Sequence, residues 1–260
     1  MTRLLVDEAA LGYQDRVVCS EVSLEIPDGC FTVIVGPNAC GKSTLLKSLT
    51  RLLTPRSGAV LLDGKSLHAL PTKHIARQVG LLPQGPTAPD GIRVVDLVAR
   101  GRYPHQSLFT PWSPEDQEAV SEAMEATGVH HLSGRMADEL SGGQRQRVWM
   151  AVALAQQTPI LLLDEPTTYL DLSHQVELLE LCRDLNRSKG HTLVAVLHDL
   201  NQAARYADHV VAMHEGAVVA TGTPDEVITE ELASEVFGLD ARIMPDPESG
   251  TPLLLPRWRH

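Results

Sequence analysis

The sequence predicts an α/β protein that has a mostly parallel sheet and an inserted helical segment. First, short apolar runs typical of buried strands alternate with amphipathic helical segments, and this alternation is typical of parallel sheets. Second, residues 92–157 carry helical patterns and few β-branched runs, so they interrupt the alternation. Third, a glycine-containing loop at residues 36–44 joins an apolar strand to a helix.

The expected elements follow in chain order. The N-terminal third is β-rich, and turn signals such as Pro27-Asp28-Gly29 separate its runs. A helix is predicted after Ser113, since Pro114 suits the first helical position and Asp116 lies three residues after the cap. Predicted strands are 4–6, 17–26, 31–35, 58–62, 79–82, 160–163, 192–197, 210–213 and 217–221, and further helices are 174–188 and 199–206.

Composition limits the possible classes of protein. The 260 residues are 43% hydrophobic, which suits a globular chain with a sizeable core. No apolar run approaches the roughly 20 residues of a membrane span, and the N-terminus lacks the features of a signal peptide, so a cytosolic location is expected. Four widely spaced cysteines without a C-x-x-C pair indicate free thiols. The net charge of −11 argues against a nucleic-acid partner.

Residues 36–44, GPNACGKST, match the phosphate-binding pattern G-x-x-x-x-G-K-[ST]. Gly36 and Gly41 allow the chain to curl so that backbone N–H groups face an anion. Lys42 can reach the outer phosphates, and the Ser43 hydroxyl can ligate Mg²⁺. The alternative is a glycine turn that happens to precede a lysine, and a chance match to the pattern in a chain of this length has a frequency on the order of 1%. The residues predicted to bind nucleotide are Gly36, Pro37, Asn38, Ala39, Cys40, Gly41, Lys42, Ser43 and Thr44.

An apolar strand at residues 160–163 ends in two acidic residues, Asp164 and Glu165. The first suits Mg²⁺, directly or through water, and the second could polarise an attacking water. A strand that merely ends in an acidic turn is a common alternative. The motif is weak by itself and gains weight from the phosphate loop.

Residues 140–144, LSGGQ, lead into a helix-prone segment. Ser141, Gly142 and Gly143 would present backbone N–H groups at the helix N-terminus, which makes a second anion site. A helix cap followed by a glycine hinge is the simpler alternative. Two phosphate-binding helix starts in one short chain are nevertheless unusual.

These motifs together resemble the nucleotide-binding subunit of ATP-binding cassette (ABC) transporters, whose signature is LSGGQ. Four further residues match the family's motifs in order along essentially the whole chain, namely Tyr13, Gln84, Asp171 and His198. The resemblance implies an ABC-type P-loop ATPase core, with a mostly parallel sheet and an N-terminal antiparallel β part, over residues 1–84 and 158–260. A helical subdomain at 85–157 would carry the signature, within one nucleotide-binding domain.

The resemblance also implies a role for each residue. Two subunits meet head to tail, so that the phosphate loop of one faces the LSGGQ segment of the other across ATP. Glu165 is then the general base, and His198 contacts the γ-phosphate and orients the water. Gln84 and Ser43 ligate Mg²⁺ with help from Asp164. The implied catalytic set is Glu165, His198, Lys42 and Gln84, and Tyr13, Ser141, Gly142, Gly143, Gln144 and Asp171 bind ATP or line the dimer seam.

Several positions keep a second interpretation. Tyr13 could be an ordinary core or surface aromatic, and His198 could be structural. Cys40 is expected to fill space, although its alkylation could block ATP. Ala39 stands where many relatives have glycine, which could change the loop geometry slightly. Tyr169 stands where many relatives have serine or tryptophan.

Longer stretches favour one branch of the family. Residues 100–105 and 111–116, and residues 165–175 and 197–203, resemble the ATPases of iron–siderophore importers, and vitamin B12 and haem importers share much of this pattern. Segment 100–112 is either a surface loop or, as we favour, a surface that grips a permease helix. The tail, 224–256, resembles the family's short C-terminal end.

The function implied is ATP hydrolysis that powers import of iron(III)–siderophore complexes, with ATP and Mg²⁺ as cofactors. The implied partners are permease subunits, a second copy of the chain and, indirectly, a substrate-binding protein, with no nucleic acid. The expected location is the cytoplasmic face of the cell membrane. A vitamin B12 or haem importer, a soluble ABC ATPase that acts in assembly, and an ATP-dependent switch protein are the alternatives.

Overall fold

The computed structural model describes residues 3–14, 16–107, 112–168 and 170–258. The chain divides into two compact units, one of residues up to Leu70 together with those from Gly190 onward, and one of Pro71–Lys189. The predicted helical subdomain, 85–157, falls inside the second unit. The assignment of one nucleotide-binding domain with these internal boundaries stays a prediction.

The described residues form both β-strands and α-helices. The strands are β1 (Leu4–Tyr13), β2 (Arg16–Ile26), β3 (Phe31–Val35), β4 (Ser57–Leu62), β5 (Lys65–Ser66), β6 (Val79–Leu82), β7 (Ile160–Asp164), β8 (Thr192–Val196), β9 (His209–His214), β10 (Ala217–Gly222), β11 (Ala241–Pro245) and β12 (Pro252–Pro256). The helices are α1 (Lys42–Ser48), α2 (Thr72–Gln78), α3 (Val94–Ala99), α4 (Pro114–Ala126), α5 (Gly142–Ala155), α6 (Leu172–Lys189), α7 (Leu200–Tyr206), α8 (Pro224–Val227) and α9 (Glu230–Phe237). Across the described part of the chain, every helix is too short or too polar to cross a bilayer.

The first unit begins with an antiparallel sheet in the order β2-β1-β4-β5. Leu4 on β1 pairs with Ile26 on one side and with Leu62 on the other, and all three side chains are buried. Exposed positions on β2 alternate with buried ones, as expected for a sheet with one solvated face. This sheet confirms the expected N-terminal antiparallel β part.

The same unit contains a mostly parallel group of strands in the order β10-β9-β3-β8. β3 runs parallel to both β8 and β9, and every residue of β3 and β8 is buried. Continuous apolar strands of this kind are typical of parallel sheets covered on both faces. The phosphate loop therefore leaves the carboxyl end of a strand at the centre of this group.

The second unit contains the parallel pair β6–β7 and a helical core. The helices α3, α4 and α5 contribute most of this core, and its largest members include Val94, Leu97, Val120, Met124 and Val148. Ser113 and Asp116 form the predicted capping box at the start of α4. The predicted helical character of this segment is therefore confirmed.

The sequence missed the short helix α2 and made no assignment of elements in the tail, where α8, α9 and the hairpin β11–β12 form. Among the residues of α2 only Ile75 is buried, so the helix has too little apolar periodicity to be recognised. The hairpin is held by the Asn201 side chain, which accepts from the Leu254 N–H at 2.7 Å and donates to the Leu254 carbonyl at 3.2 Å. No local signal in the sequence reveals such a contact.

Candidate functional site

The phosphate loop curves at its two glycines. Gly36 has a φ of 151° and Gly41 a φ of 109°, and residues that have a Cβ rarely adopt such values. A Cβ at Gly36 would lie 2.2 Å from the Met213 carbonyl oxygen, and one at Gly41 would lie 2.5 Å from Cys19 Sγ. Both positions therefore require glycine for conformation and for space.

Ala39 lies between these glycines with a φ of 63°, in the left-handed region. Because alanine has a Cβ, this conformation is about 1–2 kcal/mol less favourable than the conformations that alanine prefers. Residue 39 therefore has a backbone conformation that favours glycine, although alanine occupies the position.

Lys42 closes over the loop, and the residue is 5% exposed. Its ammonium donates hydrogen bonds of 2.8 Å to the backbone carbonyls of Gly36 and Pro37. Helix α1 begins at this lysine, and its N-cap, Gly41, provides no side-chain cap. A buried cation and a helix N-terminus without a side-chain cap are both favourable to an anion.

His198 lies at the same edge of the parallel strands as the phosphate loop. Ile34 on β3 pairs with Val196 on β8, and Gly36 and His198 each follow two residues later. His198 is exposed, and the next residue, Asp199, caps α7 by accepting from the N–H groups of Asn201 and Gln202. His198 is thus exposed at the carboxyl edge of these strands, where ligands bind in open α/β sheets, and its contact with the γ-phosphate stays a prediction.

Tyr13 ends β1 and is 44% exposed, so it is not a core aromatic, and its contact with adenine stays a prediction beside the alternative of an ordinary surface aromatic. Cys40 is buried inside the phosphate loop, in agreement with a space-filling role. Cys19 lies behind the loop, and burial together with the nearby Cys40 raises the pKa of Cys19 to about 11. All four cysteines are free, as expected.

The second unit brings Gln84 and Glu165 together. Leu82 on β6 pairs with Leu163 on β7, and each of the two polar residues follows two positions later. Gln84 Nε2 donates to Glu165 Oε2 at 2.6 Å. Asp164, the last residue of β7, is 2% exposed. The parallel pairing of two strands thus places an amide and two carboxylates at one edge.

Two further contacts, one to Glu165 and one to the next residue, Pro166, hold this turn, and the sequence did not predict either. Thr168 Oγ1 donates to Glu165 Oε2 at 3.2 Å, and Gln146 Nε2 donates to the carbonyl of Pro166 at 2.9 Å. Thr168 follows Glu165 by three residues in the same motif, which could have suggested a turn. Nothing in the sequence indicates that Gln146 reaches this turn.

The LSGGQ segment forms a complete helix cap. Ser141 Oγ accepts from the Gln144 N–H at 3.3 Å, and Gln144 Oε1 accepts from the Ser141 N–H at 3.2 Å. Among the described residues, a Cβ at Gly143 would meet the Leu170 Cδ2 atom at 3.5 Å and His174 Nδ1 at 3.8 Å. The cap is confirmed, and the neighbours that the structure describes give no steric reason for glycine at 143.

Asp171 precedes α6 and its side chain is two-thirds exposed. The His174 backbone N–H and the Ser173 hydroxyl donate to its carboxylate, and the first of these contributes most to holding the pKa of Asp171 below its usual range. Asp171 therefore carries a negative charge at neutral pH on an exposed surface.

The predicted metal ligands provide oxygen atoms of a hydroxyl, an amide and a carboxylate, from Ser43, Gln84 and Asp164. Hard cations such as Mg²⁺ prefer oxygen, and Mg²⁺ is usually held by one or two protein groups together with phosphates and waters. Within the described ranges, no group of three His, Cys, Asp or Glu residues could hold a metal. Each of the three residues thus offers an oxygen atom of the type that Mg²⁺ prefers, and their role as ligands stays a prediction.

Segment 100–112 combines a buried arginine with exposed aromatics. Arg102 forms an ion pair with Asp116 at 2.8 Å and donates to the Ala155 carbonyl at the end of α5. Tyr103 is 61% exposed and Trp112 44% exposed. Two residues named in the sequence patterns, Pro111 and Tyr169, lie outside the described residues.

The fold and the ordered motifs define an ATP-binding cassette. A family model described as "ABC transporter" matches residues 19–168, and the chain belongs to this family. It is an ABC ATPase.

Several curated relatives match over almost the whole chain. The ferric enterobactin transport ATP-binding protein of Escherichia coli (strain K12) is 56% identical over 100% of this chain and 96% of its own length. The achromobactin transport ATP-binding protein of Dickeya dadantii (strain 3937) is 50% identical, with the same coverage. The iron(3+)-hydroxamate import ATP-binding protein of Bacillus subtilis (strain 168) is 47% identical over 98% of this chain and 95% of its own length.

Solved structures confirm the fold. An ABC transporter in an inward-facing conformation matches with a TM-score of 0.84 and 28% identity, covering 99% of this chain and 98% of that one. A dimeric ATP-binding cassette in a post-hydrolysis state, bound to ADP and phosphate, matches with a TM-score of 0.75 and 26% identity, covering 85% and 98%.

Proposed function

We propose that this protein is the ATP-hydrolysing subunit of an importer for iron(III)–siderophore complexes. The observation that carries the proposal is the 47–56% identity, over nearly full length, to transport ATP-binding proteins named for such complexes. A cobalamin import ATP-binding protein of Halobacterium salinarum is 40% identical and is covered over 60% of its length, so cobalamin is the second candidate.

In this proposal the phosphate loop of the first unit binds the nucleotide. The residues of the loop, Gly36 to Thr44, surround the phosphates with backbone N–H groups. Lys42 moves from the carbonyls of Gly36 and Pro37 to the outer phosphates, which is a short exchange of partners for one buried ammonium. Tyr13 stacks under the adenine, and His198 contacts the γ-phosphate.

Glu165 acts as the general base that takes a proton from the attacking water. Gln84 has an amide group whose nitrogen already donates to Glu165, while its oxygen is of the kind that ligates Mg²⁺. Ser43 and Gln84 would hold Mg²⁺, with Asp164 assisting, and the ion would neutralise phosphate charge when bound. Asp171 and residues Ser141 to Gln144 contact the nucleotide or the partner across the dimer seam.

Two copies close head to tail over two ATP molecules, and this closure changes the conformation of the permease. Hydrolysis at Glu165 then reopens the dimer. Support comes from the dimeric form of a structurally similar cassette. It also comes from Gly143, since the described part of a single chain shows no steric need for glycine there.

The remaining partners are permease subunits and, through them, a substrate-binding protein, which places the chain at the cytoplasmic face of the membrane. The exposed aromatics Tyr103 and Trp112 support a permease-gripping role for segment 100–112. The buried Arg102 would fix that surface to the helices behind it.

A pull-down of the tagged full chain from its own cells in mild detergent, followed by mass spectrometry, tests the proposal. We expect a polytopic permease together with a binding protein for iron chelates. A permease of another uptake system would overturn the cargo and keep the mechanism. Recovery of soluble partners alone would contradict transport and support the assembly-factor alternative.

A further inference from the structure

We propose that Gln146 is a positioning residue for Glu165, through which the signature helix α5 sets the location of the catalytic carboxylate in the same chain. The proposal rests on the proposed function, because it takes Glu165 as the general base. Its basis is the contact of Gln146 with the turn that follows β7.

Glu165 adopts a backbone conformation that needs outside support. Its φ of 52° lies in the left-handed region, which is sparsely populated for residues other than glycine. Such conformations persist only where surrounding contacts determine them. The turn after β7 must therefore be held in place for the carboxylate to keep its direction.

Hydrogen bonds from Thr168, Gln84 and Gln146 hold this turn and its carboxylate. The Thr168 N–H donates to the Glu165 carbonyl at 3.2 Å, and the Thr168 hydroxyl donates to Glu165 Oε2, also at 3.2 Å. Both are local to the turn. Two more come from outside the turn: Gln84 Nε2 donates to Glu165 Oε2 at 2.6 Å, and Gln146 Nε2 donates to the Pro166 carbonyl at 2.9 Å. Gln84 thus holds the carboxylate, whereas Gln146 holds the backbone of the turn.

Gln146 and the signature cap move together because they belong to one helix. Helix α5 has 14 residues, Ser141 caps its start, and Gln146 lies in its second turn. The buried side chains of Val148, Met150 and Ala151 hold the helix against its neighbours. A shift of the LSGGQ end on contact with a nucleotide is therefore carried to the residue that follows Glu165.

The expected signature of this role is a loss of turnover with unchanged nucleotide binding. A general base must lie within hydrogen-bond reach of its water, and a displacement of about 1 Å can reduce the rate by up to about 100-fold. Lys42 and the phosphate loop lie in other elements, so the KM for ATP should stay unchanged when kcat falls. A structural defect would instead lower stability along with activity.

The test is steady-state ATP hydrolysis by the full chain with Gln146→Met, which removes the amide and keeps an unbranched side chain. Gln117→Met, at an exposed position of α4, is the matched control. We expect kcat to fall about tenfold at a KM within twofold of wild type, with the control unchanged. An unchanged kcat for Gln146→Met, or an equal loss in the control, overturns the proposal.

Gln146→Glu guards against misfolding, because it keeps the size of the side chain and replaces the donor with an acceptor facing the Pro166 carbonyl. It should lower kcat at least as much, while the variant keeps a cooperative thermal unfolding transition. A normal kcat in this variant also contradicts the role of Gln146.

A double-mutant cycle distinguishes a failure of this proposal from a failure of the proposal that Glu165 is the general base. If Gln146 acts through Glu165, Gln146→Met should not reduce the residual turnover of Glu165→Gln any further. An additional tenfold loss in that background shows that Gln146 acts independently of Glu165. Near-wild-type turnover of Glu165→Gln alone would instead reject Glu165 as the base, and with it the proposed function of that residue.

Discussion

Arg102 and Asp116 form an ion pair of 2.8 Å with side chains that are only 6% and 8% exposed. Arg102 also donates to the Ala155 carbonyl and to Gln157 Oε1, so one guanidinium links the start of α4 to the end of α5. Removing one partner of such a buried pair leaves an uncompensated charge. We expect Arg102→Met to lower the free energy of unfolding by roughly 3–5 kcal/mol, measured by urea denaturation.

The same pair gives a dependence of stability on pH. Burial by itself would raise the pKa of Asp116, but the Arg102 and Ser113 hydrogen bonds bring it below its usual range. Asp116 therefore stabilises the folded state above the pKa of the unfolded chain, about 3.9, and this contribution is lost as the pH falls through the lower folded value. Asp116→Asn, less stable at neutral pH, should lose less stability than wild type between pH 5 and pH 2.5. Parallel curves for the two proteins would contradict this.

The left-handed Ala39 predicts a stabilising substitution. Ala39→Gly removes about 1–2 kcal/mol of backbone strain and adds about 0.4–1 kcal/mol of unfolded-state entropy. The free energy of unfolding should therefore rise by up to about 1.6 kcal/mol, as thermal denaturation can measure. Ala126→Gly, at an exposed helical position, should lower it instead.

Gly143 and Gly101 should respond differently to the same change. Gly143→Ala meets only ordinary contacts, so stability should stay the same or rise by up to about 1 kcal/mol through helix propensity. ATP-dependent dimerisation, followed by light scattering, should nevertheless weaken. Gly101→Ala would place its Cβ 2.3 Å from the Val152 carbonyl oxygen and should cost roughly 1–3 kcal/mol. Undiminished dimerisation of Gly143→Ala would argue against a role of Gly143 at the dimer seam.

Lys42→Ala should abolish detectable ATP binding at concentrations that saturate the wild type, because it removes the buried ammonium from the phosphate loop. A fluorescent ATP analogue provides the measurement. Lys47→Ala, at the other end of α1, is the control and should bind normally. Equal affinity of Lys42→Ala and wild type would remove Lys42 from the phosphate site.

Glu165→Gln should bind ATP, accumulate closed dimers and lose turnover. Glutamine keeps the length of the side chain and can still contact Gln84, but it cannot accept a proton from water at neutral pH. Gel filtration with ATP and phosphate release together measure the outcome. Dimers that accumulate without loss of hydrolysis would show that another residue acts as base.

The sequence predicted the parts of the fold that rest on local patterns. Continuous apolar runs such as Phe31–Val35 identified the buried parallel strands, and the Ser113–Asp116 spacing identified the start of α4. The parallel pairing also explains why residues two positions beyond such runs, Gln84 and Glu165, meet at one edge. These relationships follow from the strand period and from common strand direction.

Local sequence patterns could not predict the contacts between elements that are distant in the sequence. Gln146 lies 20 residues from Pro166 in sequence, and Asn201 lies 53 residues from Leu254. Only the packing of helices and the hairpin brings each pair together. Likewise, the resemblance flagged Arg102 as part of a surface motif, whereas tertiary packing buries it beside Asp116.

The absence of a side-chain cap on α1 gives nucleotide a second effect beyond transport. Gly41 leaves the start of α1 to be completed by phosphate, so bound nucleotide also stabilises the folded chain. Mass action at 100 times the dissociation constant adds about 2.7 kcal/mol. In a starved cell with little ATP, a larger fraction of the protein would be unfolded and accessible to proteases. The amount of this ATPase subunit would then fall together with the ATP concentration.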